Sequence, residues 1–419
     1  MDKKLLWVWL SIHFKEGTNL YKKLYDAFGS IEAIYDSDDA DINSVPWLFS
    51  TFKKKLLDKN LNNAKAIIEW CEKYDVDIIT PDDENYPKAL LEIDDYPAVL
   101  YCYGKLPDFE NNLCITVVGK RDMSVYGKEN AFNLGYGLTK GGAVVISGMA
   151  KGIDCTAQKG ALFAGGTTVA VLGCGINVVY PKENFELMVK IMRVGAVITE
   201  YPPYSPPNAY NFPKRNRIMS ALSNATVVVE AGKNSGSLIT ANMAKRQNKL
   251  VFAYPSSVNH FFSEGNNDLI FEDIAKLVTS PIDILEHFLD KFSLDLKASK
   301  EKPVIKNVIR DKEVDFLPKG FWANDRKPGK ISKPSKNKKE KRIKAKETNI
   351  EPVINIDLTQ LSNDEKIVYT AFKDEEKISM DILIDLCPSL DLGALSSTLM
   401  TLELKGFISC LPGGFYIKK

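Results

Sequence analysis

Residues 113–127 read L-C-I-T-V-V-G-K-R-D-M-S-V-Y-G. An apolar, β-branched run stops at Gly119, two cations follow, and Ser124 stands where a helix cap belongs. A strand wet on one face alternates apolar and polar residues, whereas this run is nearly continuous and is expected to be covered on both faces. The same pattern recurs as A-V-V-I-S-G (143–148), T-V-A-V-L-G (168–173), A-V-I-T-E (196–200), A-T-V-V-V-E-A (225–231) and L-V-F-A-Y-P (250–255). Each run leads into a turn signal and then a helix-like stretch. Six such strands predict an α/β fold, a Rossmann-like doubly wound, mostly parallel sheet. Ligands of such sheets lie beyond the carboxyl ends of the strands, which is where the Gly and polar residues of this chain concentrate.

The flanks read differently. Residues 1–75 are expected to form a small helical domain of the SAM or helix-hairpin-helix kind. Leu20, Leu24, Ala27 and Phe28 recur at helical spacing, and Gly29 follows as a C-cap. Residues 76–290 hold the sheet, entered through a turn-rich connector (71–110) with Y-P at 86–87 and 96–97. Residues 291–355 are expected to be a basic flexible linker, with Lys336, Lys338, Lys339, Lys341 and Arg342 in one run. Residues 356–419 read as a winged-helix-like domain. Ser362 caps an amphipathic helix, and two short strands flank Pro412-Gly413-Gly414.

Bulk composition narrows the chemistry. The 419 residues carry a net charge of +1, so the distribution of charge, not its sum, must identify a polyanion partner. Seven cysteines lack any C-x-x-C pair, which predicts reduced thiols in a cytosolic protein. His13, His260 and His287 are far apart in sequence, and neither a zinc site nor a Ser-His-Asp triad assembles from them. The N-terminal apolar run has no small-residue cleavage site and is not read as a signal peptide. No stretch approaches the roughly 18 apolar residues of a membrane span. The expectation is a cytoplasmic protein without membrane insertion, metal, catalytic residues or cofactor.

The turns after the strands carry the site. Lys120, Arg121 and Ser124 follow the first strand, Gly148 and Gly152 the second, and Lys182 comes in Y-P-K after the third. The fourth strand leads to N-F-P-K-R-N-R-I-M-S-A-L (211–222), which places Lys214, Arg215 and Arg217 in the first turn of a helix. A helix N-terminus carries partial positive charge, so three cations there oppose the dipole unless an anion joins them. Ser235, Gly236 and Ser237 open the helix after the fifth strand. G-x-G-x-x-G and Walker A patterns are both absent. The reading is a phosphate-binding rim, with one of the two arginines turned inward to Glu200 or Glu230. Tyr126, Tyr201, Tyr204, Tyr210 and Phe212 flank the cations and are candidates to stack bases or to pack.

Several long segments in order resemble the DNA-processing protein A family (DprA, also called Smf). They are D-D-E-N-Y-P-K-A-L (82–90), V-V-G-K-R-D-M-S-V-Y-G, I-S-G-M-A-K-G-I-D, V-L-G-C-G-I-N-V-V-Y-P, F-P-K-R-N-R-I-M-S-A-L-S and S-G-S-L-I-T-A. The resemblance implies single-stranded DNA binding without a nucleotide cofactor, a homodimer, and loading of the recombinase RecA during natural transformation. It places DNA contacts on Arg121, on Lys182 and on the cations of F-P-K-R-N-R. Departures from the family pattern are Lys120 for a usual Ser, Gln158 for a usual His, Ser256 for a usual Gly, and Asp273-Ile274 for a usual Gly-Ala. The competing reading is an enzyme of the lysine-decarboxylase-like phosphoribohydrolase type. It wants a G-G-x-G-T turn with a glutamate close behind, where this chain has N-S-G-S-L-I-T-A-N-M.

Overall fold

The computed structural model describes residues 2–14, 16–257, 264–303, 317–318 and 320–323. Towards the C-terminus it describes 361–372, 378–379, 383, 386–387, 390, 392–404, 407–411 and 415–418. The chain divides into two compact units, Met1–Pro334 and Ser335–Lys419.

The first unit is built on a nine-stranded sheet: β1 (Asp77–Ile79), β2 (Leu100–Gly104), β3 (Cys114–Val118), β4 (Val144–Ser147), β5 (Thr168–Val171), β6 (Ala196–Thr199), β7 (Ala225–Val228), β8 (Leu250–Ala253) and β9 (Lys276–Leu277). Their order is β1-β2-β6-β5-β4-β3-β7-β8-β9. The six strands expected from sequence, β3 to β8, are all present and pair in parallel. The turn-rich connector adds two strands that sequence reading passed over. β2 pairs antiparallel with β6, and β1 with β2. The chain winds outward from β3 to β6, then crosses back to β7 beside β3, so the strand order reverses between β3 and β7.

Side chains of the central strands divide between two cores with period two. Cys114 and Val118 of β3 and Val144 and Ile146 of β4 face one core, and Ile115, Val117 and Val145 face the other. Full burial of each such Val or Ile contributes about 1.5–3 kcal/mol. The N-terminal helices Lys3–His13 and Leu20–Phe28 share the first core with the sheet, through Trp7, Trp9, Leu10 and Leu24. Gly29 ends the second of these helices at φ +83°, the left-handed C-cap read from sequence. Within the stretch read as linker, Leu296–Ser299 is helical and Phe321 is fully buried against Trp70, Tyr74 and Tyr103. The lysine run from Lys336 to Lys346 lies outside the described residues, as does His260.

The described cysteines whose burial is given are free and buried. Burial pushes the thiols of Cys71, Cys102, Cys114 and Cys174 up to about 12, which removes thiolate nucleophilicity at neutral pH. Among the described residues no helix is long and apolar enough to cross a membrane.

In the second unit, Ser362 caps the helix Asn363–Ala371 through a capping box with Glu365. The helix Leu392–Leu404 and a three-stranded antiparallel sheet are further described elements of this unit. Its strands are β10 (Ile378–Ser379), β11 (Ile408–Leu411) and β12 (Phe415–Lys418), with β12 in the middle. The turn at 412–414 lies outside the described residues.

Candidate functional site

A cleft of about 380 Å³ opens at the carboxyl ends of β3 and β7, where the strand order reverses. Lys120 and Arg121 from the turn after β3 line it, as do Asp154, Phe212 and Arg215, and Ser235 to Ser237 from the turn after β7. The sheet topology therefore joins segments that are more than a hundred residues apart in sequence.

Backbone contacts hold the Lys120–Arg121 turn in place. The Lys120 N–H donates to the Glu230 carbonyl at 2.7 Å, and the Lys120 carbonyl accepts from the Ile153 N–H at 3.2 Å. Gly152 sits at φ +83°, and a Cβ there would strike the carbonyls of Lys120 and Arg121. Only glycine meets both demands. Ser124 caps the helix Val125–Lys140, accepting from the Gly127 N–H at 3.0 Å. Its own N–H and hydroxyl go to Glu230 Oε2 at 2.9 and 3.1 Å. Ser124, read from sequence as a binding residue, is thus engaged in shaping the turn and is not part of the cleft wall.

The helix after β6 runs Asn211–Leu222, starting two residues before the Pro213 that marks it in sequence. Pro213 remains in the first turn, where its missing N–H costs nothing. Three cations crowd this turn, and each has its own environment. Arg217 is 3% exposed and forms a bidentate pair with Glu200, Nη1–Oε1 and Nη2–Oε2 both 2.7 Å. Its Nε adds the carbonyl and carboxylate of Asp95 at 2.9 and 3.1 Å. Burial works to lower its pKa, and Glu200 outweighs that and raises it. Arg215 is 4% exposed and forms the floor of the cleft. It donates to the carbonyls of Gly148 and Val171, and Gly148 is glycine because a Cβ would strike the guanidinium. Lys214 does not line the cleft and donates from Nζ to the Glu16 carbonyl at 2.8 Å. Sequence reading turned one arginine inward; the structure buries both and commits the lysine elsewhere. Arg217 is held inside the protein by Glu200, and Lys214 does not line the cleft.

Asp154 lies against Arg215 at 5% exposure, its Oδ2 accepting the Gly148 N–H at 3.1 Å. Burial raises its pKa, with the Arg215 charge pulling the other way. Burial lowers the pKa of Arg215, with the Asp154 charge pulling it up. The accessible charge comes from the β3 turn: Arg121 is exposed and lies over the Phe212 ring, 5.8 Å from its centroid. On Phe212's flank Tyr180 pairs at 5.2 Å and 32°, with 39% of its surface exposed. Arg121, Tyr180, Phe212 and Lys151 line a smaller notch of about 70 Å³ beside the cleft.

Tyr180 and Lys151 were legible only as neighbours of residues already singled out, in Y-P-K and M-A-K-G. Lys182 is exposed and opens a short 3-10 turn, and it lines neither cavity. Of the rings named from sequence, Tyr201 is buried and Tyr204 is bonded to Trp70, whose Nε1 donates to its hydroxyl at 3.0 Å. Only Phe212 among them lines the cleft. Ser235 caps the helix Gly236–Arg246, and its hydroxyl lies 2.7 Å from that of Ser237. Among the described residues no group of three or more His, Cys, Asp or Glu has the arrangement of a metal site.

The family model of DNA recombination-mediator protein A matches residues 77–289. The chain belongs to this family. Protein Smf of Synechocystis sp. is 30% identical over 407 residues, 96% of each chain. Protein Smf of Escherichia coli K12 is 39% identical over 240 residues, and the match spans 57% of this chain and 62% of that protein's length. The X-ray structure of DNA processing protein A (DprA) from Streptococcus pneumoniae is similar at a TM-score of 0.59 and 31% identity, covering 68% of this chain and 98% of that one. The matched span of the DNA recombination-mediator family contains the cleft, the notch and the Arg217–Glu200 pair.

Proposed function

We propose that the chain binds single-stranded DNA in the cleft at the β3/β7 switch point. One observation carries this: an accessible cation turn, a serine-rich helix N-terminus and the Phe212 ring converge on one cavity, and Tyr180 extends the ring surface into the notch beside it. Lys120 and Arg121 meet phosphates electrostatically, while Ser235, Gly236 and Ser237 present hydroxyls and helix N–H groups. Phe212 and Tyr180 offer faces on which bases stack without sequence preference. Gly148 and Gly152 serve by keeping Arg215 and the cation turn where they are. Lys182, at the outer rim, is a further phosphate contact. The protein acts as a binding protein rather than an enzyme. It works as a cytoplasmic homodimer that protects incoming DNA and passes it to the RecA recombinase during natural transformation, as family membership implies.

Titration with single- and double-stranded oligonucleotides of one length at two salt concentrations tests the reading. The single strand is expected to bind more tightly, with log K falling linearly against log salt. Duplex preference, or affinity indifferent to salt, contradicts it. Base released from nucleoside monophosphates overturns the binding-only view.

A further inference from the structure

One hydroxyl in the cleft is unexplained by packing. Thr240 is fully buried, lines the cleft, and its Oγ1 has no hydrogen-bond partner. A threonine inside a helix ordinarily gives its hydroxyl to the carbonyl one turn back. Thr370, Thr398 and Thr401 of this chain do so, at 2.8, 2.7 and 2.9 Å. Thr240 sits one turn into Gly236–Arg246, and no such bond to Gly236 forms. A buried hydroxyl without a partner is costly, and it points to a ligand that completes it.

The start of the same helix has room for that ligand. A Cβ built on Gly236 would meet nothing within 4 Å, and its backbone is outside the left-handed region, so neither crowding nor strain requires glycine there. The first N–H groups of a helix have no intrahelical acceptors. Ser235 and Ser237 add two hydroxyls, Thr240 a third, and Lys120 and Arg121 line the same cavity. Its 380 Å³ is at the small end of ligand cavities, which run from roughly 300 to 1,000 Å³.

We infer that this end of the cleft is a seat for a nucleotide phosphomonoester. The inference rests on the nucleic-acid reading above and deepens it. A phosphomonoester presents three terminal oxygens and up to two negative charges. An internal phosphodiester presents two free oxygens and one charge. Three hydroxyls, a helix N-terminus and two cations match the former. The shared chemistry belongs to a phosphorylated strand end and to a free nucleoside monophosphate.

The test uses the full chain and oligothymidylates with a phosphate or a hydroxyl at either end, with thymidine 5′-monophosphate, thymidine and inorganic phosphate as competitors. A terminal phosphate is expected to tighten binding at least fivefold. Competition by thymidine 5′-monophosphate alone assigns the free nucleotide as the source, and an end-phosphate gain without it assigns the strand end. Inorganic phosphate competing as well as the nucleotide reduces the seat to a bare anion site and overturns the inference. Thr240→Val keeps the shape and removes the hydroxyl. It is expected to abolish the end-phosphate gain and, by deleting an unpaired buried group, to raise Tm by about 2 °C. A gain retained in Thr240→Val overturns the role of that hydroxyl. Equal affinity for phosphate- and hydroxyl-ended strands overturns the seat and leaves the single-strand reading standing. No binding of any oligonucleotide overturns both.

Discussion

Arg217 and Glu200 meet as a bidentate ion pair, both contacts 2.7 Å, with each side chain less than one-twentieth exposed. The pair ties the helix Asn211–Leu222 to the end of β6, and Asp95 extends it to the connector. It accounts for one of the cations that opposes the dipole at this helix start: the guanidinium is matched to a carboxylate inside the protein.

Removing Glu200 leaves the buried Arg217 with only the partly exposed Asp95 carboxylate as counter-charge. Glu200→Ala is expected to lower stability by about 3–5 kcal/mol. The double replacement Glu200→Leu with Arg217→Met recovers much of that loss, because no orphan charge remains. Denaturant unfolding of the three variants measures it. A loss below 1 kcal/mol for Glu200→Ala contradicts the buried assignment.

Gly152→Ala asks a side chain to occupy both φ +83° and the space of two carbonyls. The variant is expected to lose about 1–3 kcal/mol and to bind DNA more weakly, because the Lys120–Arg121 turn must move. Thermal melting and anisotropy on one preparation check both halves. Unchanged stability excludes the contact.

Asp283 gives a pH signature far from the cleft. Burial acts to raise its pKa, but hydrogen bonds from Thr279 and Ser280 outweigh that and lower it. A depressed carboxylate contributes stability above its unfolded value, near 3.9, and loses it as pH falls through the lower folded value. Asp283→Asn is expected to cost about 0.5–1 kcal/mol at pH 7, with the gap to wild type closing below pH 4. A gap that persists unchanged at low pH contradicts the capping role.

The sheet was legible because its six central strands are buried on both faces and therefore nearly continuous in Val, Ile and Ala. β1 and β2 were not, because both pair antiparallel inside a Pro- and Asp-rich connector, outside the strand–turn–helix repeat, and β1 is an edge strand of three residues. The rim was legible as a set of turns, but the direction of each side chain was not. Every residue from Arg215 to Leu222 is buried, so the helix has no wet face from which to assign Arg215 and Arg217. Asp273 sits at φ +54°, a backbone region that favours glycine, and its identity gives no sequence signal of that conformation. Thr240 lay within a quoted motif, and only the structure reveals its unpaired hydroxyl.

The central claim is that accessible phosphate-binding charge comes from the β3 turn and not from the helix it faces. Measuring single-strand affinity against salt for wild type, Arg121→Ala and Lys214→Ala tests it most directly. Arg121→Ala is expected to weaken binding severalfold and reduce the salt slope by about one, with Lys214→Ala close to wild type. A folded Arg121→Ala with wild-type affinity and slope, or a Lys214→Ala that loses both, would contradict the account.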